Sequence, residues 1–389
     1  MWRRLALACT LLVVIATTPA AGAAPRARDL GIPFPGTPGP LNAITDIGGV
    51  EVGFATLVRG DGKLEVGKGP VRTGVTAVLP RGKKASSSVF GGWFTANGNG
   101  EMTGTTWLEE SGVLSGPVLI TNTHSVGIVR DAILEWSLQR GGTTQLWGLP
   151  VVAETWDGYL NDLNGFHVRR EHVFAALDSA APGPVAEGNV GGGTGMHSFE
   201  FKGGTGTASR RVRVKGIADY TVGVLVQSNF GRRHQLQIAG IPVGRQWPED
   251  APFTAAGGAA NELGSIIAVV ATDAPLLATQ LRRMARRATH GIARVGGTSG
   301  NGSGDIFIAF STANEAAAGA AEGLQRAEFL PNDALDGLFE ATALATEEAI
   351  VNAMIAARTM RGADGNTLTA IDHERLRKIL KKHGRLEAR

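Results

Sequence analysis

Cysteine is nearly absent from this chain. The single one is Cys9, and it lies within the first 23 residues. That stretch reads as an export signal. Arg3 and Arg4 form a positive start, Leu5 to Ala16 an apolar stretch too short to span a bilayer, and Ala21-Gly22-Ala23 a small-residue cleavage pattern. Most of the apolar stretch follows Cys9, which argues against a lipoprotein. Once 1–23 are removed, no thiol remains. Disulfides, thiolate nucleophiles and cysteine metal sites are then excluded, and stability outside the cytoplasm must come from the core. Aromatics are few, at 6%, and no apolar run after residue 23 is long enough to cross a membrane.

Several catalytic signatures are missing too. The histidines are scattered, with no HExxH and no paired cysteines, so neither a metal nor a cofactor is expected. Gly191-Gly192-Gly193-Thr194-Gly195 has no following Lys-Ser/Thr, and no GxGxxG opens a helix after a strand. Ser299 and Ser303 sit among glycines without the GxSxG elbow of a serine triad. Charge is close to balanced, with 38 Lys/Arg against 35 Asp/Glu. The excess sits at the two ends: 373–389 holds seven Lys/Arg and two Asp/Glu. This gives little support for nucleic-acid binding. The basic tail reads as a solvated helix.

Glycine, by contrast, is abundant: 55 of 389 residues, about twice the usual share. It is not periodic, and Val, Ile and Leu remain plentiful, so tight turns and close backbone approaches fit better than collagen or disorder. Residues 24–41 read as an irregular surface arm. Val50 to Leu57, Leu64 to Val66 and Val71 to Leu79 read as strands, with a hairpin turn at Gly60-Asp61-Gly62. Val118 to Asn122 reads as a strand and Ile128 to Leu138 as a helix. Ala181 to Gly206 is a long glycine-rich connection, followed by paired strands at Arg211 to Val214 and Tyr220 to Ser228. Ser265 to Ala271 and Asp305 to Phe310 have the apolar pattern of buried strands. Between them, Thr272 or Asp273 is expected to cap a helix with Pro275 in its first turn. Leu277, Leu281, Met284 and Ala288 mark its buried face, and Arg282/Arg286 with Arg283/Arg287 a solvated one. Thr346 to Met360 reads as a second helix. Strands first and helices last predict an α+β layered domain.

One chemical option survives these exclusions. Gly264-Ser265 joins a polar approach, Asn261-Glu262-Leu263, to a core strand. A hydroxyl there could attack the carbonyl of a small preceding residue, and hydrolysis of the ester would free an α-amine. That amine has a reference pKa near ~7.7–8.0, so it can serve as base for its own hydroxyl. On these residues alone, an ordinary strand start is the simpler reading.

Longer stretches carry more information. Asn42 to Asp46 (NAITD), Thr121 to Gly127 (TNTHSVG), Glu154 to Asp162 (ETWDGYLND), Glu187 to Met196 (EGNVGGGTGM), Val224 to Gly231 (VLVQSNFG) and Gly300 to Asp305 (GNGSGD) follow one another along the chain. In this order they closely resemble the DmpA/β-peptidyl aminopeptidase family, also described as L-aminopeptidase D-esterase/amidases, over roughly 29–366. The resemblance implies a four-layer αββα sandwich, similar to N-terminal nucleophile hydrolases but connected differently. It implies autoproteolysis between Gly264 and Ser265, so that 24–264 and 265–389 become a larger and a smaller chain of one catalytic domain. By position Ser265 matches the nucleophile and Ser303 a serine that contacts its amine. Asp305 matches a carboxylate orienting that pair, where some members carry glutamate. Asn229 matches an oxyanion-hole asparagine. Glu154 and Tyr159 fall in the segment lining the pocket for the substrate's amino terminus, Glu154 as partner of the ammonium.

The expected activity is that of an exported, periplasmic or secreted serine aminopeptidase. Its substrates would be small peptides, aminoacyl amides or esters, including β-peptides or D-amino-acid amides. The processed heterodimers are expected to form a homo-oligomer, with no nucleic-acid partner and no membrane contact after signal removal. Two other readings stay open on sequence: an acyltransferase resembling ornithine acetyltransferases, which usually carry threonine as nucleophile, and a non-catalytic amine-binding protein on the same fold.

Overall fold

A strand that is apolar at consecutive positions needs cover on both faces, and four layers supply it. The computed structural model describes residues 24–85, 87–141, 147–254, 264–319 and 322–387. The expected export signal, and Asn261 to Leu263, lie outside these residues.

In chain order the strands are β1 (Glu51–Arg59), β2 (Val71–Leu79), β3 (Val89–Gly98), β4 (Val113–Leu114), β5 (Val118–Asn122) and β6 (Val151–Thr155). A short pair follows, β7 (His197–Ser198) and β8 (Phe201–Lys202), then β9 (Gly204–Val214), β10 (Ala218–Asn229), β11 (Gly264–Thr272) and β12 (Ser303–Ser311). The helices include α1 (Thr105–Ser111), α2 (Val126–Gln139), α3 (Arg170–Asp178), α4 (Ala278–Arg294), α5 (Glu315–Gly319), α6 (Asp336–Ile355) and α7 (His373–Lys382). One sheet runs β1-β2-β5-β6, the other β4-β3-β12-β11-β10-β9. Helices α2 and α3 cover the outer face of the first, α4 and α6 that of the second. The order of layers is therefore αββα, as the resemblance implied.

Strand β11 explains the stacking. Ile266, Ala268 and Val270 point into the core under the helices, while Ile267, Val269 and Ala271 point into the core between the sheets. All nine residues are buried. Some of the glycine content follows from the same geometry. A Cβ at Gly92 would lie 2.5 Å from the Arg282 nitrogen of α4, and one at Gly206 2.0 Å from the Ala349 carbonyl of α6. The helices rest directly on the sheet at these points.

Several sequence expectations need correction. Leu64 to Val66 is not a strand: β1 and β2 pair through Arg59 and Val71, and the loop 60–70 joins them. β3 and β6 have no counterpart among the expected strands. The connection 181–206 contains β7 and β8. Pro275 lies before α4, which begins at Ala278, and Thr272 is the last residue of β11 rather than a cap. The helix expected from Thr346 starts at Asp336 and ends at Ile355. It is buried nearly all round from Leu338 on, so it has no single apolar stripe to betray its start. The arginines of α4 are not simply solvated. Arg283 and Arg287 stack over Phe339, and Arg286 over Phe94. The basic tail helix α7 buries Leu376 and Leu380. The N-terminal arm buries Ala27 and Ile32 in the core rather than only skirting the surface.

Candidate active site

Three neighbouring strands of the larger sheet reach the same end of the molecule with polar residues. β10 ends on Asn229, whose register partner on antiparallel β11 is Ser265. On the other side of β11, parallel β12 sets Gly264 opposite Ser303 and Ser265 opposite Gly304. Backbone ladders therefore fix Asn229, Ser265 and the Ser303 loop side by side. Ser265 is 4% exposed, and Asn229, Ser303 and Asp305 are fully buried.

The contacts follow from this register. The Gly304 N–H donates to Ser265 Oγ at 3.2 Å, and Ser303 Oγ donates to Asp305 Oδ1 at 2.5 Å. Asn229 is held at both ends of its amide: Oδ1 accepts the His197 N–H at 2.9 Å, and Nδ2 donates to the Trp156 carbonyl at 2.8 Å. A primary amide has two N–H groups, so the second can serve a ligand.

The need for glycine at 264 is spatial. A Cβ there would sit 2.2 Å from the Asn229 carbonyl oxygen and 3.0 Å from Phe230 Cα. No side chain fits, because the backbone before Ser265 lies directly against the end of β10. Gly304 is squeezed in the same way: its Cβ would meet the Asn99 carbonyl at 2.5 Å. The Gly300–Gly304 loop is held from β3 by Asn97, which donates to the Ser299 and Gly300 carbonyls, and by Asn99, which donates to that of Gly302.

Glu154, on β6 of the other sheet, reaches this loop from across the layer gap. A Cβ on Gly100 would lie 3.1 Å from both Glu154 Oε1 and Gly304 Cα, so the carboxylate and Gly304, whose N–H donates to Ser265 Oγ, flank the same backbone. Glu154 Oε1 accepts the Glu101 N–H at 3.0 Å and Oε2 the Thr123 hydroxyl at 2.5 Å. Burial raises the pKa of Glu154, and these two donors pull it back only in part. Tyr159 is half-buried, its ring edge-on to Phe253 with centroids 4.9 Å apart. Burial and the nearby Glu200 carboxylate raise its pKa. Asp157, between these two, is pushed up to about 7 by complete burial, against hydrogen bonds from Thr73, Asn161 and Asn122.

The fold thus gathers Ser265, Ser303, Asp305, Asn229 and Glu154, with Tyr159 at the edge. Sequence reasoning missed Trp156, His197, Asn97 and Asn99. The first two act on Asn229 through backbone atoms, which leave no mark in side-chain chemistry. A cavity of about 480 Å³ beside Trp107, Trp136 and Trp147 shares none of the site residues. Among the described residues, no group of three or more His, Cys, Asp or Glu could hold a metal ion.

Residues 42–368 match the model of peptidase family S58. The chain belongs to peptidase family S58. It is 56% identical over 388 residues to the β-peptidyl aminopeptidase BapA of Sphingosinicella microcystinivorans, covering 96% of this chain and 98% of that one. Identity to BapA of Sphingosinicella xenopeptidilytica is 48% over 390 residues, covering 97% and 96%. Among solved S58-like structures, the L-aminopeptidase D-Ala-esterase/amidase of Ochrobactrum anthropi superposes with a TM-score of 0.86 at 49% identity, covering 93% of this chain and all of that one. That protein is described as a prototype serine aminopeptidase with a new variant of the Ntn hydrolase fold. A β-aminopeptidase of a Burkholderia species gives 0.85 at 45% identity, covering 92% and 99%. The S58 fold is therefore that of this chain throughout its described layers.

Proposed function

We propose that this S58 hydrolase is an exported aminopeptidase that cuts its own chain between Gly264 and Ser265 and then uses Ser265 as its nucleophile. Family membership makes it an aminopeptidase-type hydrolase; the residue assignments are our reading. The observation that carries them is the register of β10, β11 and β12, which sets Asn229, Ser265 and the Ser303 loop together at buried strand ends.

In the first reaction, Ser265 Oγ attacks the Gly264 carbonyl carbon. The peptide bond becomes an ester as the acyl group moves from nitrogen to oxygen, and water hydrolyses the ester. This leaves a carboxylate on Gly264 and an amine on Ser265. In the second reaction, that neutral amine takes the Ser265 hydroxyl proton while the oxygen attacks the substrate carbonyl. Asn229 donates its second amide N–H to the developing oxyanion, and the Trp156 carbonyl and His197 N–H keep the amide from rotating. The protonated amine gives its proton to the leaving nitrogen, and water releases the acyl group. The Ser303 hydroxyl, held by Asp305, orients the amine. Glu154 pairs with the substrate ammonium, which selects substrates with a free amino terminus. Tyr159 borders the pocket. The larger chain, 24–264, would supply Asn229 and Glu154, and the smaller, 265–389, the serines and Asp305.

A panel of aminoacyl p-nitroanilides with free and acetylated amines tests this. Turnover of the free amines, and loss of turnover on acetylation, is the expected result. Equal turnover of both would remove Glu154 from its role. Preferential transfer to an amino-acid acceptor over water would replace hydrolysis with acyl transfer.

A further inference from the structure

The tight turn between β7 and β8 places two bulky residues, Phe199 and Glu200, at φ values of 51° and 64°. Left-handed backbone is rare for such residues, and it persists only where surroundings enforce it. What enforces it here is a clamp. Glu200 is fully buried. Its Oε2 accepts the N–H groups of Phe253 and Thr254, both at 2.9 Å, and its Oε1 accepts the Arg233 N–H at 3.1 Å and the Thr254 hydroxyl. Burial opposes the charge of Glu200, but these donors outweigh it and hold its pKa below the ordinary value. Arg233, equally buried, donates to the carbonyls of Trp247, Glu249 and Asp250, and to those of Phe199 and Glu200. Its guanidinium lies 3.4 Å above the Phe201 ring. Two side chains thus fasten the strap from Trp247 to Thr254 at both ends.

The strap delivers Phe253 to the site. Its half-buried ring meets Tyr159 at 4.9 Å and His197 at 5.1 Å, edge-on in both cases. His197 is the residue whose N–H holds Asn229, and Asn229 is the register partner of Ser265. None of the clamp bonds involves Gly264 or Ser265, and Thr254 precedes Gly264 by ten positions. The clamp bonds are therefore independent of that peptide bond.

We propose that Phe253, seated by the Glu200–Arg233 clamp, forms the wall of the pocket that receives the substrate's first residue and limits its size. This rests on the aminopeptidase reading above. The test compares Phe253→Ala, Phe253→Leu and Phe253→Trp with the wild type, using p-nitroanilides of β-alanine, leucine and phenylalanine. Phe253→Ala raises kcat/KM for leucyl and phenylalanyl relative to β-alanyl substrate by about tenfold or more, mainly through KM, the scale of a missing hydrophobic contact. Phe253→Leu gives a smaller shift in the same direction, and Phe253→Trp shifts the ratio the other way. Ratios within twofold of wild type in all three variants would overturn the proposal. Calorimetric binding of free leucine and phenylalanine reads the same wall without turnover. A wild type that binds them but turns over nothing would refute the aminopeptidase reading, while the change in binding across the variants would still decide the wall.

Discussion

The four-stranded sheet ends its last strand on Glu154-Thr155 and hands over to the turn from Trp156 to Tyr159. In the six-stranded sheet β10 ends on Asn229, while β11 begins at Gly264-Ser265 and β12 at Ser303, all at the same edge. The central strands of both sheets are buried on two faces and both sheets reach the site, but they contribute different things. The larger sheet supplies groups proposed to react, held by ladders that fix their spacing to the register. The smaller sheet supplies groups proposed to recognise, carried at a strand end and on a turn. Groups that must meet within hydrogen-bond distance gain most from the rigid support. Recognition can be adjusted on turns without disturbing it.

Substitutions that break only one side separate the two contributions. The largest effect is expected from Gly264→Val. Its Cβ would collide with the Asn229 carbonyl, so the start of β11 cannot close against β10, and intact mass should show one uncut chain. Asn229→Ala comes next. It should lower kcat by about 10²–10³, the usual loss for one oxyanion donor, with KM nearly unchanged in steady-state assays of processed enzyme. On the recognition side, Glu154→Gln should raise KM by about tenfold and leave kcat within a few fold, as expected for an interaction present equally in ground and transition states. Because burial raises the pKa of Glu154, wild-type KM should climb, as pH falls, at a higher pH than an ordinary carboxylate would give. The variant should lose that limb.

The smallest expected effect on activity comes from Asp157→Asn, which concerns stability alone. Asp157 has a folded-state pKa of about 7 against 3.8 in the unfolded chain. The folded state therefore binds the proton more tightly, and this contribution is full below about pH 4 and is lost as pH rises through 7. Asp157→Asn should flatten that part of the stability profile in denaturant titrations, with little change at pH 4.

Much of this could be read from the residues. β5, β11 and β12 carry the apolar runs Val118 to Ile120, Ile266 to Ala271 and Ile306 to Phe310 and stand where expected, because strands covered on both faces show no polar alternation; β2 also stands where expected, although Arg72, Thr73 and Thr76 interrupt it. β3 has no clear strand pattern because Gly91 and Gly92 dilute it, and Gly92 lets α4 lie directly on the strand. The stretches matching the family led to Ser265, Ser303, Asp305 and Asn229, and the fold brings them together. Their supports were not legible. His197 and Trp156 act through backbone groups, and the Glu200 carboxylate grips backbone N–H groups from a left-handed turn; none of these leaves a residue-type signature.

The central claim is that the bond before Ser265 is cut and that this creates the active enzyme. Intact-mass measurement with N-terminal sequencing of purified wild type and Ser265→Ala tests it most directly. The account predicts two wild-type polypeptides, one beginning at Ser265, and one inactive, uncut chain in the variant. A single uncut wild-type chain with aminopeptidase activity, or an active Ser265→Ala protein, would contradict it.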